Sequence, residues 1–407
     1  MFIFAQRVCL YYPESLTVQG TILSKWLRRK AAPAVVIATS YVRMQHSRYY
    51  AMNNNAGSKE VLMRGNIALV EGAIKAGCTA YFGYPITPQN EVTGHMSKRM
   101  PEEGRIFIQS ESELAAINMV FGAALTGVRA MTSSSSPGIS LKQEGISYMA
   151  GAELPGLIVN IQRGGPGLGN ISGAQGDYFQ ATRGGGHGDY RTLVLAPDSV
   201  QEMYEFPGLA FNIAEKYRIP ALMLSDGVLG QMMEPMVMKD IEIIRATDMK
   251  DWVLDGAKER PARRVVSLLM KPGALEEHNY HLQQKYQQIT EKEVRFEETN
   301  TEGANVILVG YGTSARICHK ATVEARNAGM KVGLFRPITL FPFPYKRLNE
   351  LASTVKGFVV VEMSLGQMVE DVRLAVEGKV PVHFYGRPAG GLPEIGKIIQ
   401  EIRGMLQ

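Results

Sequence analysis

The sequence predicts an α/β protein, in which a mostly parallel, doubly wound sheet is followed by a second, smaller α/β domain. Between residues 61 and 225, short apolar runs alternate with stretches that have the apolar spacing of a helix. Such alternation is typical of βα units, whose strands pair in parallel. It resumes between residues 305 and 407. A charged segment without this rhythm separates the two parts, which indicates two domains joined by a connector.

The first domain opens with a short apolar strand and an amphipathic helix. This helix has an apolar face at Ile67, Val70 and Ile74, and Gly77 ends it. Pro101 is expected to end the next helix. The predicted strands are residues 61–63, 80–83, 106–109, 130–132, 157–162, 193–196 and 221–225. The predicted helices are residues 65–76, 89–100, 113–127, 138–150 and 199–217.

The second domain shows the same alternation over a shorter stretch. Its predicted strands are residues 306–310, 331–335, 357–361 and 380–385, with one helix ending at Ala328 and another around residues 344–352. The preceding segment is polar and charged, and residues 275–298 within it are predicted to be helical. We therefore place the first domain at residues 58–235, the connector at 236–303 and the second domain at 304–407.

Composition excludes several classes of protein. The chain is 45% hydrophobic and 20% charged, as expected of a soluble globular protein. No apolar run approaches the ~18 residues of a membrane span. The three cysteines, Cys9, Cys78 and Cys318, lie far apart. Their spacing excludes a disulfide framework, a cysteine-type zinc site and a four-cysteine iron–sulfur cluster built by this chain alone. A reducing cytoplasm is the expected location.

The first 57 residues are predicted to lie outside the fold. They contain seven lysines or arginines and one acid, Glu14, so the formal net charge of +5 comes from this segment. The rest of the chain is close to neutral, which indicates no basic face for nucleic acid. An acid-poor, arginine-containing segment resembles an organellar transit peptide. A translation start at Met52 is the preferred interpretation, with residues 53–58 as an ordinary chain terminus.

Four turns of small and polar residues follow apolar runs between residues 81 and 169. Ligands of open α/β sheets bind at the carboxyl ends of the strands, so these turns predict one active-site rim. The turns are Tyr81-Phe-Gly-Tyr-Pro-Ile-Thr-Pro88, Gln109-Ser-Glu-Ser-Glu-Leu-Ala-Ala116, Thr132-Ser-Ser-Ser-Ser-Pro-Gly138 and Gln162-Arg-Gly-Gly-Pro-Gly-Leu-Gly169.

Two acids of the second turn, Glu111 and Glu113, open a predicted helix. Carboxylates in the first turn of a helix complement the helix dipole, so capping is their simplest role. A catalytic role requires only that one of them faces a pocket. Apolar surroundings there would disfavour the charged carboxylate and let it share a proton with a ring nitrogen of a ligand.

Arg163 follows a predicted strand and precedes a run of glycines. A guanidinium at the carboxyl end of a strand suits bidentate binding of a carboxylate or phosphate, and a structural ion pair is the alternative. The glycines at positions 164, 165, 167 and 169 predict a backbone that comes close to a ligand or to a partner chain.

A second glycine motif, Gly310-Tyr-Gly312-Thr-Ser-Ala315, lies between a strand and a helix of the second domain. This context is the one that a nicotinamide-nucleotide fingerprint requires. However, the next strand is followed by Arg336 and has no acid to bind a ribose. Close packing of strand and helix is the favoured interpretation, and a nicotinamide-nucleotide-binding module remains the alternative function.

Taken in order, these motifs resemble the alpha subunits of 2-oxoacid:ferredoxin oxidoreductases over residues 60–400. The resemblance is closest to the type that acts on 2-oxoglutarate or on 3-methyl-2-oxobutanoate and other branched-chain 2-oxoacids. It is carried by Gly83-Tyr-Pro-Ile-Thr-Pro, Glu111-Ser-Glu-Leu-Ala-Ala-Ile, Ser133-Ser-Ser-Ser-Pro-Gly-Ile-Ser, Gln143-Glu-Gly, Arg163-Gly-Gly-Pro, Gly184-Gly-Gly-His-Gly-Asp-Tyr and Glu362-Met-Ser-Leu-Gly-Gln.

The resemblance implies a thiamine diphosphate-binding fold, with a pyrimidine-type first domain and a second domain similar to the transketolase C-terminal domain. It implies that Glu113 is catalytic, because this position bonds the aminopyrimidine ring and promotes its imino tautomer. It also implies that Thr87 and Arg163 bind the substrate carboxylate. Tyr84 and Pro85, from the same motif as Thr87, would contact the cofactor.

The resemblance further implies a complex of several chains. Thiamine diphosphate would be shared with a beta subunit that binds the diphosphate, its Mg²⁺ and at least one [4Fe–4S] cluster. A separate gamma subunit, a ferredoxin-like delta subunit, ferredoxin and coenzyme A complete the expected partners, and this chain would hold no metal. The reaction would be oxidative decarboxylation to acyl-CoA and carbon dioxide, in which the cofactor supplies the chemistry. A scaffold that only assembles partners is a third hypothesis. The sequence leaves open which 2-oxoacid is used.

Overall fold

The computed structural model describes residues 60–407. Within them, Glu60–Asp255 and Arg263–Gln407 belong to one compact unit. The predicted N-terminal extension and the proposed start at Met52 lie outside the described residues. None of the helices in the described part of the chain is long and apolar enough to cross a membrane.

The described residues form fourteen strands and thirteen helices. The strands are β1 Glu60–Arg64, β2 Ala80–Gly83, β3 Ile106–Gln109, β4 Ala130–Ser134, β5 Gly156–Gln162, β6 Leu193–Leu195, β7 Pro220–Asp226, β8 Met233–Val237, β9 Phe296–Thr299, β10 Val306–Val309, β11 Val332–Pro337, β12 Thr339–Phe341, β13 Gly357–Glu362 and β14 Val382–Gly386. The helices are α1 Gly65–Lys75, α2 Asn90–Glu102, α3 Glu113–Ala124, α4 Ser136–Gly151, α5 Tyr178–Thr182, α6 Val200–Tyr217, α7 Gly227–Gln231, α8 Met249–Trp252, α9 Ala274–Lys292, α10 Gly312–Asn327, α11 Tyr345–Leu351, α12 Met368–Val376 and α13 Ile395–Leu406.

The first sheet has seven strands in the order β12-β6-β7-β5-β4-β2-β3. All neighbouring pairs are parallel except β12 with β6, which is antiparallel. The two central strands β5 and β7 are buried along their whole length. Parallel strands are buried on both faces because their crossover helices cover both. The predicted doubly wound, mostly parallel sheet is therefore confirmed.

Strand β5 shows how the two faces of this sheet are covered. Leu157, Val159 and Ile161 pack in one apolar cluster with α1 and α6, whereas Ile158 packs in another with α3 and α4. The helices on the first face lie close together, because a Cβ at Gly72 of α1 would come within 1.9 Å of the Tyr204 carbonyl oxygen in α6. Because successive side chains of a strand point to opposite faces, β5 contributes to an apolar cluster on each face of the sheet.

The second sheet has five strands in the order β14-β13-β10-β11-β9. The strands β14, β13, β10 and β11 are parallel, and β9 joins the edge antiparallel to β11. Strand β9 comes from the segment for which the sequence predicted a helix through residue 298. That prediction is wrong at its end, since α9 stops at Lys292. Glu297 and Glu298 lie opposite Arg336 and Phe335 in the pairing of β9 with β11.

Other local features differ from the predictions or go beyond them. Strand β1 confirms the predicted strand at residues 61–63, and it pairs with Met233–Val237 of β8 in a separate two-stranded sheet. Helix α2 continues through Pro101 to Glu102 instead of ending before the proline. The sequence also gave no signal for β12, which follows β11 directly and returns to pair with β6 of the first sheet.

The two sheets are joined by buried hydrogen bonds around Gln175. Its amide nitrogen donates to the Tyr311 carbonyl oxygen (2.8 Å), and its amide oxygen accepts from the Ser314 hydroxyl (2.6 Å) and from the Met363 backbone N–H (3.0 Å). Nearby, the Tyr178 hydroxyl donates to the carboxylate of Asp371 (2.6 Å). The second domain is therefore held against the loops that follow β5.

Candidate active site at the carboxyl edge of the first sheet

The four predicted rim turns follow β2, β3, β4 and β5, which are consecutive neighbours in the first sheet. Because the four strands are parallel, their carboxyl ends meet at one edge. Helices α3 and α4 begin directly after two of these turns. The structure thus brings together the segments that the sequence placed on one rim.

Glu113 is the first residue of α3, and its side chain is buried at 7% exposure. Ser112 caps this helix, since its hydroxyl accepts from the Ala115 backbone N–H (3.2 Å). Glu111 is exposed and accepts from the Ser112 hydroxyl (2.8 Å). The two acids therefore differ in position, and only Glu113 points into the protein. Capping, the simple alternative, is done by Ser112.

The carboxylate of Glu113 lies against the start of α4. A Cβ added at Gly138 would come within 2.7 Å of Glu113 Oε1 and within 2.1 Å of the Ser134 hydroxyl oxygen. Glycine at this position therefore lets the Glu113 carboxylate and the Ser134 hydroxyl pack directly against the backbone of α4. The Ser134 and Ser135 hydroxyls are buried without a hydrogen-bond partner among the described residues. Buried polar groups are ordinarily paired, so these hydroxyls suit a bound group.

Lys142 of α4 is also buried at the side of Glu113. Its side chain is 0% exposed, and Nζ donates to the backbone carbonyl oxygen of Glu113 (3.3 Å). Burial lowers the pKa of Lys142 to about 7, and the charge of Glu113 opposes this change. Sequence reasoning missed this residue. Its signal was available, because Lys142 shares a helical face with the apolar Ile139 and Ile146, where a solvated lysine is not expected.

Arg163 and Thr87, the two residues predicted to bind the substrate carboxylate, lie in contact. The Arg163 guanidinium donates to the backbone carbonyl oxygens of Thr87 (2.9 Å) and Leu168 (3.1 Å). Its Nε–H is buried without a partner in the described part of the chain. The Thr87 hydroxyl accepts from the Asn90 side-chain amide (3.0 Å). Both acceptors of the guanidinium are neutral carbonyl oxygens, so neither contact neutralises the positive charge of Arg163.

The backbone of Arg163 is held by a buried network that sequence reasoning also missed. The Ser136 hydroxyl accepts from the Arg163 backbone N–H (3.0 Å) and donates to the carboxylate of Asp177 (2.6 Å). The side-chain amide of Asn160 donates to the same carboxylate (2.8 Å). Burial raises the pKa of Asp177, and these two hydrogen bonds oppose the rise. The network connects the end of β5 to the start of α4.

The glycine loop after Arg163 makes its close contacts within the chain. A Cβ at Gly169, which has φ +61°, would lie 1.7 Å from the Gly164 carbonyl oxygen, and one at Gly164 would lie 3.1 Å from the Ala389 Cα. The Asn170 side-chain amide donates to the Ala389 carbonyl oxygen (2.9 Å). At Gly164 and Gly169 the loop approaches itself and the second domain, and the close approach to a ligand or partner chain stays a prediction.

Tyr84 and Pro85, the other predicted cofactor contacts, are exposed in the turn that follows β2. Tyr84 is 37% exposed, and its backbone carbonyl oxygen accepts from the side-chain amide of Gln89 (3.2 Å). Gln89 is fully buried and also accepts from the Ser133 hydroxyl (2.7 Å). Tyr84 and Pro85 therefore present accessible surface on the same rim as Glu113.

The Gly310–Ala315 motif is engaged by the first domain. At the start of α10, the Thr313 hydroxyl donates to the carboxylate of Asp226 (2.9 Å). The side-chain amide of Gln175 donates to the carbonyl oxygen of Tyr311, directly before this helix. A Cβ at Gly310 would lie 3.1 Å from the Ala315 backbone nitrogen. In a dinucleotide-binding fold, the helix N-terminus binds the pyrophosphate. Here protein groups contact that position, as expected for the packing role.

Two known families match this chain. Residues 71–301 match the family described as "Pyruvate flavodoxin/ferredoxin oxidoreductase, thiamine diP-bdg". Residues 304–398 match the family described as "Pyruvate:ferredoxin oxidoreductase core domain II". The second match begins just before β10, where the parallel strands of the second sheet start.

Relatives of known function are similar over most of the chain. Ketoisovalerate oxidoreductase subunit VorB of Methanothermobacter thermautotrophicus is 50% identical over 342 residues, which cover 84% of this chain and 97% of that protein. The 2-oxoglutarate synthase subunit KorA of Methanocaldococcus jannaschii is 38% identical over 341 residues, covering 77% of this chain and 91% of that protein.

Solved structures agree with these matches. The 2-oxoglutarate:ferredoxin oxidoreductase from Magnetococcus marinus superposes with a TM-score of 0.79 at 25% identity, covering 88% of this chain and 67% of that one. A split-gene transketolase matches with a TM-score of 0.52 at 13% identity and is similar in fold alone. The predicted thiamine diphosphate-type fold is thereby confirmed. The chain belongs to the 2-oxoacid:ferredoxin oxidoreductase family and carries its thiamine diphosphate-binding domain.

Proposed function

We propose that this chain is the alpha subunit of an oxidoreductase that prefers branched-chain 2-oxoacids such as 3-methyl-2-oxobutanoate. In the overall reaction the 2-oxoacid and coenzyme A give acyl-CoA, carbon dioxide and a proton, and two electrons pass to ferredoxin. The observation that carries this proposal is the joint position of Glu113, Arg163 and Thr87 at one edge of the sheet. An acid–base group and a carboxylate-binding cation are what such a reaction requires of this chain.

The residues at this edge fit thiamine diphosphate, which when bound supplies the carbon nucleophile of the reaction. Glu113 would bond the pyrimidine ring, and the burial of its side chain at the carboxyl edge of the sheet supports this role. The unpartnered hydroxyl of Ser134 offers a further polar contact. Tyr84 and Pro85, exposed on the same rim, would line the cofactor. Glu113 is buried, so it can exchange a proton with a ring nitrogen away from bulk water.

Arg163 would bind the substrate carboxylate. Two of its N–H groups donate to backbone oxygens, and the guanidinium has five such donors in a planar arrangement. The unpartnered Nε–H supports a further acceptor at this place. The contacts with Thr87 and Leu168 would orient the guanidinium before the substrate arrives, which lowers the cost of binding.

The preference for a branched-chain substrate is supported by the loop that follows Arg163. Leu168, whose carbonyl oxygen binds the Arg163 guanidinium, has an 82% exposed side chain, and Ile171 is 63% exposed. Exposed apolar side chains on the loop whose backbone binds this arginine suit an aliphatic substrate better than a second carboxylate. The greater identity to the ketoisovalerate subunit than to the 2-oxoglutarate subunit points the same way.

The remaining chemistry is assigned to partners. We propose a beta subunit that binds the diphosphate, Mg²⁺ and [4Fe–4S], a gamma subunit and a ferredoxin-like delta subunit, with coenzyme A and ferredoxin as further reactants. Cys78 supports this division, because burial raises the pKa of its thiol to about 12, whereas cluster ligands are thiolates. We propose a cytoplasmic location for the complex, where cysteines stay reduced.

A substrate panel on the purified multi-chain complex tests this proposal. Activity is measured with coenzyme A and a viologen dye for 3-methyl-2-oxobutanoate, 2-oxoglutarate and pyruvate. We expect the highest kcat/KM for 3-methyl-2-oxobutanoate and no turnover by this chain alone. A preference for 2-oxoglutarate would refute the substrate assignment. Turnover by the isolated chain would refute the division of the site between subunits.

A further inference from the structure

Lys142 is a second ionisable group at the site, and the family resemblance does not account for it. Its Nζ atom lies 3.3 Å from the backbone carbonyl oxygen of Glu113, and its side chain is 0% exposed. A lysine almost never becomes fully buried unless it is paired. Here the charge that acts on Lys142 is that of Glu113.

The packing of α4 on α3 sets this proximity. A Cβ at Gly145 of α4 would come within 2.6 Å of the Ile117 side chain in α3, so the glycine lets the two helices approach closely. Gly138, one turn before Lys142, makes the same kind of approach to the Glu113 carboxylate. Lys142 is therefore held between two close contacts and is directed at the first turn of α3.

Other charged or titratable side chains around the pair have partners of their own. They come from β2, α3, α4 and the loops after β5. They are Tyr81 (Thr93 and Ser133), Glu111 (Ser112), Glu144 (Tyr148), Arg163 (Thr87 and Leu168), Asp177 (Ser136 and Asn160) and Tyr190 (Gly186).

We propose that Lys142 is a positioning residue for Glu113, holding the turn that carries it and favouring its ionised form over the protonated acid. The inference rests on the proposed role of Glu113 toward thiamine diphosphate. An ammonium close to a carboxylate favours the charged form of that carboxylate. Burial lowers the pKa of Lys142 to about 7, so the charge of its ammonium is present below neutral pH, where this effect acts.

The direction of the effect follows from the charges. Removing the ammonium makes the carboxylate of Glu113 harder to ionise, so a proton stays on Glu113 at higher pH. The cofactor ring then meets a protonated acid over a wider pH range. The Lys142→Met variant keeps the length and apolar stem of the side chain and removes only the charge. We expect it to move the acid limb of kcat to higher pH by about one unit.

Proton linkage provides a measurement that does not require turnover. The assembled complex is titrated with thiamine diphosphate and Mg²⁺ by calorimetry in buffers of different ionisation enthalpy, which counts the protons taken up on binding. We expect Lys142→Met to move the pH midpoint of this proton uptake upward by about one unit. Lys142→Gln, which is also neutral, is expected to give the same shift. It is the variant to measure if Lys142→Met fails to assemble into the complex.

Lys285→Met is the matched control, because it also removes a buried lysine. Lys285 donates to Glu153 (2.8 Å) and to the Arg218 carbonyl oxygen (3.0 Å), outside the site. We expect it to lower stability and to leave the midpoint of proton uptake unchanged. An unchanged midpoint in both Lys142 variants, or an equal shift in Lys285→Met, would overturn the inference.

The Glu113→Gln variant separates this inference from the proposed function on which it rests. If it abolishes the proton uptake while the Lys142 variants leave the midpoint unchanged, Glu113 keeps its role and the inference alone fails. If Glu113→Gln leaves the uptake intact, the proposed role of Glu113 fails. Neither result depends on the identity of the 2-oxoacid, since the titration contains none.

Discussion

The guanidinium of Arg163 donates to the backbone carbonyl oxygen of Thr87 across 2.9 Å, although the two residues are 76 positions apart in the chain. The contact joins the turn after β2 to the end of β5. Because the acceptor belongs to the backbone, this interaction does not depend on the threonine side chain. The two proposed carboxylate-binding residues therefore differ in what their replacement removes.

Replacing Arg163 with lysine should lower kcat/KM by about 10- to 100-fold for every 2-oxoacid, since charge-assisted hydrogen bonds are worth about 1.5–3 kcal/mol. Lysine keeps the charge and loses the planar arrangement of donors. The order of substrate preference should not change, because all 2-oxoacids share the carboxylate. Steady-state kinetics of the complex on the substrate panel measure this effect. An altered order would show that Arg163 reads the substrate side chain.

Replacing Thr87 with alanine should have a smaller effect than the arginine variant. The backbone carbonyl oxygen that Arg163 binds is retained, and the hydrogen bond from Asn90 to the Thr87 hydroxyl is lost. We again expect an unchanged order of substrates in the same assay. A loss larger than that of Arg163→Lys would indicate that the Thr87 hydroxyl itself contacts the substrate.

Replacing Glu113 with glutamine should lower turnover of the assembled complex by about 10²–10⁴-fold, the usual contribution of an acid–base group. The isosteric amide keeps the packing against Gly138, so subunit association should be preserved. Single-turnover kinetics and size-exclusion chromatography measure the two effects. A near wild-type rate would support the scaffold hypothesis.

Glu111→Gln is the matched control for this variant. Glu111 is exposed and bonds the neighbouring Ser112, so its replacement should cost only a helix-dipole contribution of about 0.3–1 kcal/mol in the free energy of unfolding. Equal losses of activity in the two variants, or a greater loss at Glu111, would show that the catalytic carboxylate is assigned wrongly.

Replacing Gln175 with alanine should lower the free energy of unfolding by about 2–4 kcal/mol. The truncation leaves the Tyr311 carbonyl, the Ser314 hydroxyl and the Met363 N–H without their buried partner. Urea denaturation of the purified chain measures the loss, with Gln400→Ala on the exposed face of α13 as control. An unchanged midpoint would show that the contact between the domains contributes little to stability.

The stability of the chain should depend on pH through Lys142. Its folded-state pKa is about 7, below the ordinary value of 10.5, so above pH 7 the unfolded chain binds a proton that the folded chain lacks. Stability is therefore lost as pH falls from 10.5 toward 7, with a slope of at most about 1.4 kcal/mol per pH unit. Comparing wild type with Lys142→Met in urea between pH 7 and 8.5 should show that the variant lacks this slope. Parallel curves would contradict the assignment.

The Gly310–Ala315 motif should not bind nicotinamide nucleotides. Asp226 and Gln175 contact the start of α10, where a pyrophosphate would otherwise lie. Isothermal titration with NAD and NADP should give no submillimolar binding. Such binding, lost in a Thr313→Glu variant, would restore the nucleotide-module hypothesis.

Much of the architecture and of the candidate site was predictable from the sequence. The alternation of short apolar runs with helical patterns predicted most strands of both sheets and the longer helices, because a parallel strand buries both faces whereas a helix buries one. The turns after β2, β3, β4 and β5 were predicted to share a rim, because parallel strands end at the same edge. The order of motifs predicted the family, and with it the positions of Glu113, Thr87 and Arg163.

The tertiary structure alone decided which side chains meet. The return of β12 to the first sheet, the pairing of β1 with β8 and the joining of β9 to the second sheet are long-range pairings, which local patterns do not encode. The same holds for the Gln175 contacts and for Lys142 beside Glu113. A buried lysine is stable only where a distant element supplies its partner, so the contact of Lys142 with Glu113 depends on the packing of α4 on α3.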